Sequence, residues 1–278
     1  MRRNFAQAIK SAKVDPKKEY SKLFELFYGK DDRDGKSLAD LISLNFEGFY
    51  FRGTCLDLDE FDEEYGFRFV EQPQDFDIDY LVSFCEYIYN FVLHFEDQFF
   101  FGQLNKHFYL QHISKVIDAL NYIQSSEDGL TIFVPRDNVA LAVSELDQLP
   151  VNVSHQILAY HHHTMKGDIE AKKATLIILA SQLEPQEKAL SQIDNSFKSD
   201  LFYAFNNLNI RHNNVDPTDK RYYKKVVAEM NAEELERLYD ETYQMCLLAF
   251  MRLEQKDRKK EFDEVKNKIE AKELTKLK

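Results

Sequence analysis

Apolar residues recur at intervals of three and four along most of the chain, the spacing of one helical face. Tyr20, Leu23, Phe24 and Phe27 share such a face in 17–28, and residues 37–46 predict a second short helix. The clearest case is 78–97, where Leu81, Phe84, Ile88, Phe91 and Phe95 line one stripe. Ile113, Val116, Ile117 and Leu120 do the same in 106–124, and SSEDG then stops the helix. Two segments break the pattern. GFYFRGTC (48–55) and GFRFV (66–70) predict short strands joined by the acidic stretch 56–65, and LTIFVP (130–135) predicts one more strand.

Past Pro150 the pattern is helical almost throughout. A long helix is predicted over 154–184, ending at Pro185 because proline cannot continue it. Another follows over 186–210, with Leu201, Phe205 and Leu208 on one face and Asp216-Pro217 as its break. The last begins at Asn231, where Glu234 three residues on makes a capping-box pattern. Leu235, Leu238, Thr242, Met245, Ala249 and Leu253 then mark its stripe, and beyond 254 the chain is highly charged. The fold expected is mainly α: an α+β region over 1–150, then an antiparallel helical bundle over 151–278 with a charged final helix.

Composition narrows the function classes. The three cysteines are odd in number and far apart, which speaks against a disulfide framework or a cysteine zinc site. No run of about 18 apolar residues predicts a membrane span, and no apolar leader predicts secretion, so a cytoplasmic location is expected. The formal net charge is −12. Residues 54–97 carry thirteen acidic side chains against Arg68 alone, which accounts for the whole imbalance. The densest part of this stretch, the acidic face at 57–64, is expected to be solvated, with mimicry of nucleic acid or docking of a basic protein partner as the alternative. The near-neutral remainder leaves local RNA contact open. Nucleotide-binding glycine loops, nucleophile elbows and the zinc-protease HExxH pattern are absent from the sequence.

One segment has the residue types for chemistry. FNNLNIRHNN (205–214) ends a predicted helix just before a proline break. Arg211 offers a permanent charge able to hold a phosphate through two parallel hydrogen bonds. His212 supplies an imidazole for proton transfer, and Asn213 and Asn214 can orient substrate or hold the ring. This set suits phosphodiester cleavage without a metal or other cofactor. The plain alternative is structural: asparagines cap helix ends, and Arg and His complement the helix dipole there. The run His161–His163 invites a metal reading, but on a helix three consecutive side chains diverge by about 100° each and cannot share one ion.

GDIEAKKATLIILASQLEPQEKAL (167–190) followed by SDLFYAFNNLNIRHNN (199–214) resembles the HEPN domains of prokaryotic abortive-infection and toxin–antitoxin systems. The resemblance covers 154–253. It implies a metal-independent endoribonuclease acting in phage defence or growth arrest, with RNA as partner and a homodimer that brings two motifs into one cleft. Arg211 matches the family arginine and His212 the polar residue after it. The family's terminal histidine would fall near 216–218, where this chain has Asp216, Pro217 and Thr218. Three readings stay open: His212 with Asn214 substitutes for it, His155 or His162 does, or the domain is a non-catalytic binding or sensor protein.

Overall fold

The computed structural model describes residues 14–30, 35–95 and 106–276 and divides the chain into two compact units, one to Arg136 and one from Asp137. The molecule is mainly α, with one two-stranded sheet among the described residues.

The first unit is built on α1 (Pro16–Tyr28), α2 (Leu38–Leu44), α3 (Leu58–Tyr65), α4 (Ile78–His94) and α5 (Lys106–Ala119), followed by β1 (Tyr122–Glu127) and β2 (Leu130–Pro135). Local signals start these helices. Asp15 caps α1 with Pro16 in its first turn, and Ser37 and Asp40 form a reciprocal capping box on α2. The stripe read from α4 is its core face: Leu81, Phe84, Ile88, Phe91 and Phe95 are all buried. Aromatic rings fill the space around it. Phe84 lies within 5.0 Å of Tyr20 and 4.7 Å of Phe69, and Phe91 meets Phe49 edge-on at 5.0 Å.

Two expectations for this unit are corrected. The strands expected at 48–55 and 66–70 do not form. Residues Phe46–Gly48 and Tyr50–Arg52 are single 3₁₀ turns, and the acidic stretch is α3. Asp57 caps α3 by accepting from Glu60 N at 2.8 Å, its first-turn acids suit the positive helix end, and Gly66 closes it in the left-handed conformation. Conversely, SSEDG does more than end a helix. Ser125–Glu127 finish β1, and Asp128 (φ 50°) and Gly129 (φ 82°) make the tight turn into β2. Side chains of α4 then satisfy the outer edge of β2. Asn90 both donates to Thr131 O and accepts from Thr131 N, each at 2.8 Å, and Glu86 accepts from Phe133 N at 2.6 Å.

The second unit holds α6 (Asn138–Ser144), α7 (Val151–Ala159), α8 (Ile169–Leu183), α9 (Glu187–Ile193), α10 (Asn195–Asn207), α11 (Lys225–Ala228) and α12 (Ala232–Lys276). The boundary lies at 136/137 rather than at 150. Asp137 caps α6, and Ala140 and Val143 of that helix enter the second core with Ile157, Leu179 and Tyr243. The single helix expected over 154–184 is two, separated by a turn at 160–168. The helix expected over 186–210 is also split, at Asp194, whose carboxylate accepts from Phe197 N at 3.0 Å and starts a fresh helix. α12 packs against α6, α8, α9 and α10 and is the central element of this unit. Its capping box forms as read: Glu234 N donates to Asn231 Oδ1 and Asn231 N to Glu234 Oε2.

Candidate functional site

The segment after α10 is a loop held from within. Asn209 takes the left-handed conformation (φ 58°), which asparagine tolerates better than most residues. It exchanges hydrogen bonds with Asn214: Asn209 N donates to Asn214 Oδ1 at 2.7 Å and Asn214 N to Asn209 Oδ1 at 3.2 Å. The Asn214 amide also donates to Asn206 O at 3.1 Å and to Tyr222 O at 2.7 Å, and its own carbonyl accepts from Lys224 N. Asn214 is fully buried, and its side chain makes three bonds there. It was expected to orient substrate; what it orients is the loop, joining the end of α10 to residues 222–224.

This clamp displays the three residues before it. Arg211 and Asn213 are exposed and His212 is half-buried. Arg211 is tethered on the outside: its Nε lies 2.7 Å from Glu184 Oε1 and its Nη1 donates to Asn206 Oδ1 at 3.4 Å. The His212 imidazole stacks on the Tyr222 ring, centroids 3.9 Å apart and planes within 12°. The Arg221 guanidinium lies 4.9 Å from the same ring. Asp216 bonds locally to Thr218, whose hydroxyl and backbone donors hold its carboxyl below the usual range.

Sequence reading missed two parts of this surface. One is Glu184, distant in sequence and unremarkable there. The other is the run Lys220-Arg221-Tyr222-Tyr223-Lys224-Lys225, four cations and two phenols in six positions of a strongly acidic chain. That composition was the signal, and interleaved cations and rings are a pattern for binding single-stranded nucleic acid. Lys220, Arg221, Lys224 and Lys225 are all exposed.

Other candidates are accounted for by structure. The His161–His163 run leaves the helix at Tyr160 and occupies the turn before α8. His161 Nε2 lies 3.7 Å from Asp137, with burial holding its pKa down, and His162 Nδ1 meets Thr164 Oγ1 at 2.7 Å. A buried lysine, Lys172, reaches Glu236 and Asp240 at 2.7 Å each, and Tyr160 Oη donates to Asp240 at 3.0 Å while its ring stacks flat on Tyr243. These groups bond one another and tie α8 to α12. In the acidic stretch, Asp57 and Glu60 cap backbone donors, Asp62 turns in to Tyr87, and Glu63 faces Arg68 at 3.2 Å. Of the six acids there, only Asp62 is drawn partly out of solvent; Asp57, Asp59, Glu60, Glu63 and Glu64 stay exposed.

Among the described residues no helix is long and apolar enough to cross a membrane. No family model matches the chain, and no curated protein or solved structure is significantly similar to it.

Proposed function

We propose that the second unit is an RNA-binding, HEPN-like module that cleaves single-stranded RNA without a metal ion, as in phage defence or growth arrest. The observation that carries this reading is the joint display of Arg211 and His212 on one rigid loop, with His212 seated on Tyr222 of the basic run 220–225. In the reaction, the His212 imidazole takes the proton of a ribose 2′-OH. The freed oxygen attacks the adjacent phosphorus, the 5′-oxygen leaves with a proton from solvent, and a 2′,3′-cyclic phosphate remains. Arg211, held in direction by Glu184 and Asn206, presents its remaining guanidinium donors to the non-bridging oxygens, where negative charge builds.

A second reading has its own support: a binding module that does not cut. Asn214 spends its hydrogen-bonding capacity on the loop, the carboxylate of Glu184 offsets part of the Arg211 charge, and His212 is the one histidine between 205 and 225. RNA cleavage in EDTA separates the two. Cleavage by the wild type that falls at least about 100-fold in both Arg211→Ala and His212→Ala supports the enzyme. RNA binding with no cleavage across several single-stranded substrates supports the binding module, and neither binding nor cleavage sinks both.

A further inference from the structure

The helix α12 runs well past the body it packs on. Leu253 is buried against the second core and Lys256 Nζ still reaches Gln192 at 2.9 Å. From Arg258 on, every side chain described is exposed, although the helix continues to Lys276, roughly 28 Å further. A solvated helix is ordinarily polar all round. This one is not: Phe262, Val265 and Ile269 are 69 %, 50 % and 55 % exposed and fall on one face.

Their spacing is part of a longer register. Counting by alternate threes and fours from the exposed Leu248 gives Met251, Gln255, Arg258, Phe262, Val265, Ile269 and Lys272, successive a and d positions over about four heptads. Three consecutive seam positions, 262, 265 and 269, are large and apolar, and Leu248 and Met251 repeat the pattern one side of the polar pair. That pair has a use. A single polar side chain at an a position, here Gln255, favours two aligned strands in which it can bond its own counterpart. Arg258 at d is already paired with Glu254 at 2.8 Å, and its long aliphatic stem can cover seam surface while its charged head stays in water.

The flanking charges choose the occupant. In a parallel two-stranded coil each g position faces the e position of the next heptad in the other strand. The sequence places Glu, Glu and Lys at g positions 254, 261 and 268, and Lys, Lys and Glu at e positions 259, 266 and 273. All three pairings are therefore opposite in sign when the partner is another copy of this helix in the same register. An antiparallel partner centred between Phe262 and Val265 sets e against e and g against g instead; Glu261 then meets Lys268 of the other copy, but Lys259 meets Lys266, so only the parallel register has every pairing opposite in sign. We infer that residues 248–276 form a parallel, in-register coiled coil with a second copy of this chain. The inference is independent of the RNA reading, since none of these residues belongs to the 205–225 loop.

Sedimentation of the full chain at about 50 μM tests it, with the double variant Phe262→Asp/Ile269→Asp beside the wild type. The expected result is a wild-type dimer and a variant at least about 100-fold weaker in self-association, with the two proteins unfolding alike at concentrations dilute enough for both to be monomers, because neither side chain touches a core. A wild-type monomer overturns the proposal, as does a dimer that the variant leaves intact. Direction is read by single cysteines at Gln255→Cys and Ile269→Cys, since the native Cys55, Cys85 and Cys246 are all buried. Parallel alignment gives a disulfide-linked dimer from each variant under mild oxidation. Linkage from one or neither, in a protein that does dimerise through this helix, overturns the parallel register.

Discussion

Asp62 illustrates how one side chain can set a pH response. It sits on the inner side of α3 and accepts from Tyr87 Oη at 2.9 Å. Burial pushes its carboxyl up to about 6; the Tyr87 hydrogen bond acts against this, and the charge of Asp59 adds to it. In the unfolded chain the same group titrates near about 3.9. The native state therefore holds this proton more tightly than the unfolded state does. Its contribution to stability is full below about pH 4 and is lost as the pH rises through 6. An amide in its place keeps an acceptor for Tyr87 and has no charge to desolvate. Asp62→Asn is expected to match the wild type near pH 4 and to exceed it by about 1 kcal/mol at pH 8, a value discounted for partial solvent access. Denaturant titrations at the two pH values check this, and parallel pH profiles for the two proteins would refute it.

At the scale of elements, the 206–224 loop depends on a residue that never reaches its surface. Asn214→Ala removes three side-chain hydrogen bonds, leaving the buried Asn209 N–H and two part-buried carbonyls without these partners. The cost is expected to be about 2–4 kcal/mol, with faster amide exchange at Asn209 and Lys224. A loss under about 0.5 kcal/mol would show that the clamp is not what holds the loop. The same comparison shows what local sequence can carry. The core faces of α4 and α5 and the cap of α12 were legible because periodicity and capping are local. The hairpin was missed because its first strand, YIQSSE, has no apolar alternation; Asp128-Gly129 was the available signal. The breaks at 160–168 and at Asp194 were hidden by apolar spacing that continues across them. At the candidate site, Arg211 and His212 stand out by residue type. The inward role of Asn214 and the pairing of Glu184 with Arg211 are tertiary facts, and no spacing rule reaches them.

For the whole molecule the governing quantity is charge. A formal −12 opposes the approach of any polyanion, and the acids of 54–97 contribute all of it. Nucleic-acid binding by this chain must then rest on a few local cations rather than on a general field. The loop supplies four exposed ones: Arg211, Lys220, Arg221 and Lys224. Each phosphate neutralised on a single strand contributes about −0.7 to the slope of log affinity against log salt. Three to four such contacts predict a slope between about −2 and −3, shallow beside that of a basic nucleic-acid-binding protein. Replacing Lys220 and Lys224 with glutamine removes two contacts and should flatten the slope by about 1.4, while the stack of His212 on Tyr222 is left in place. Anisotropy titrations of a labelled single-stranded RNA between 50 and 300 mM KCl measure both quantities. An unchanged slope in the double variant would move the binding surface away from the 205–225 loop. A flattened slope with the base preference retained would assign charge to the lysines and base contact to the ring stack, the division of labour that the loop's geometry implies.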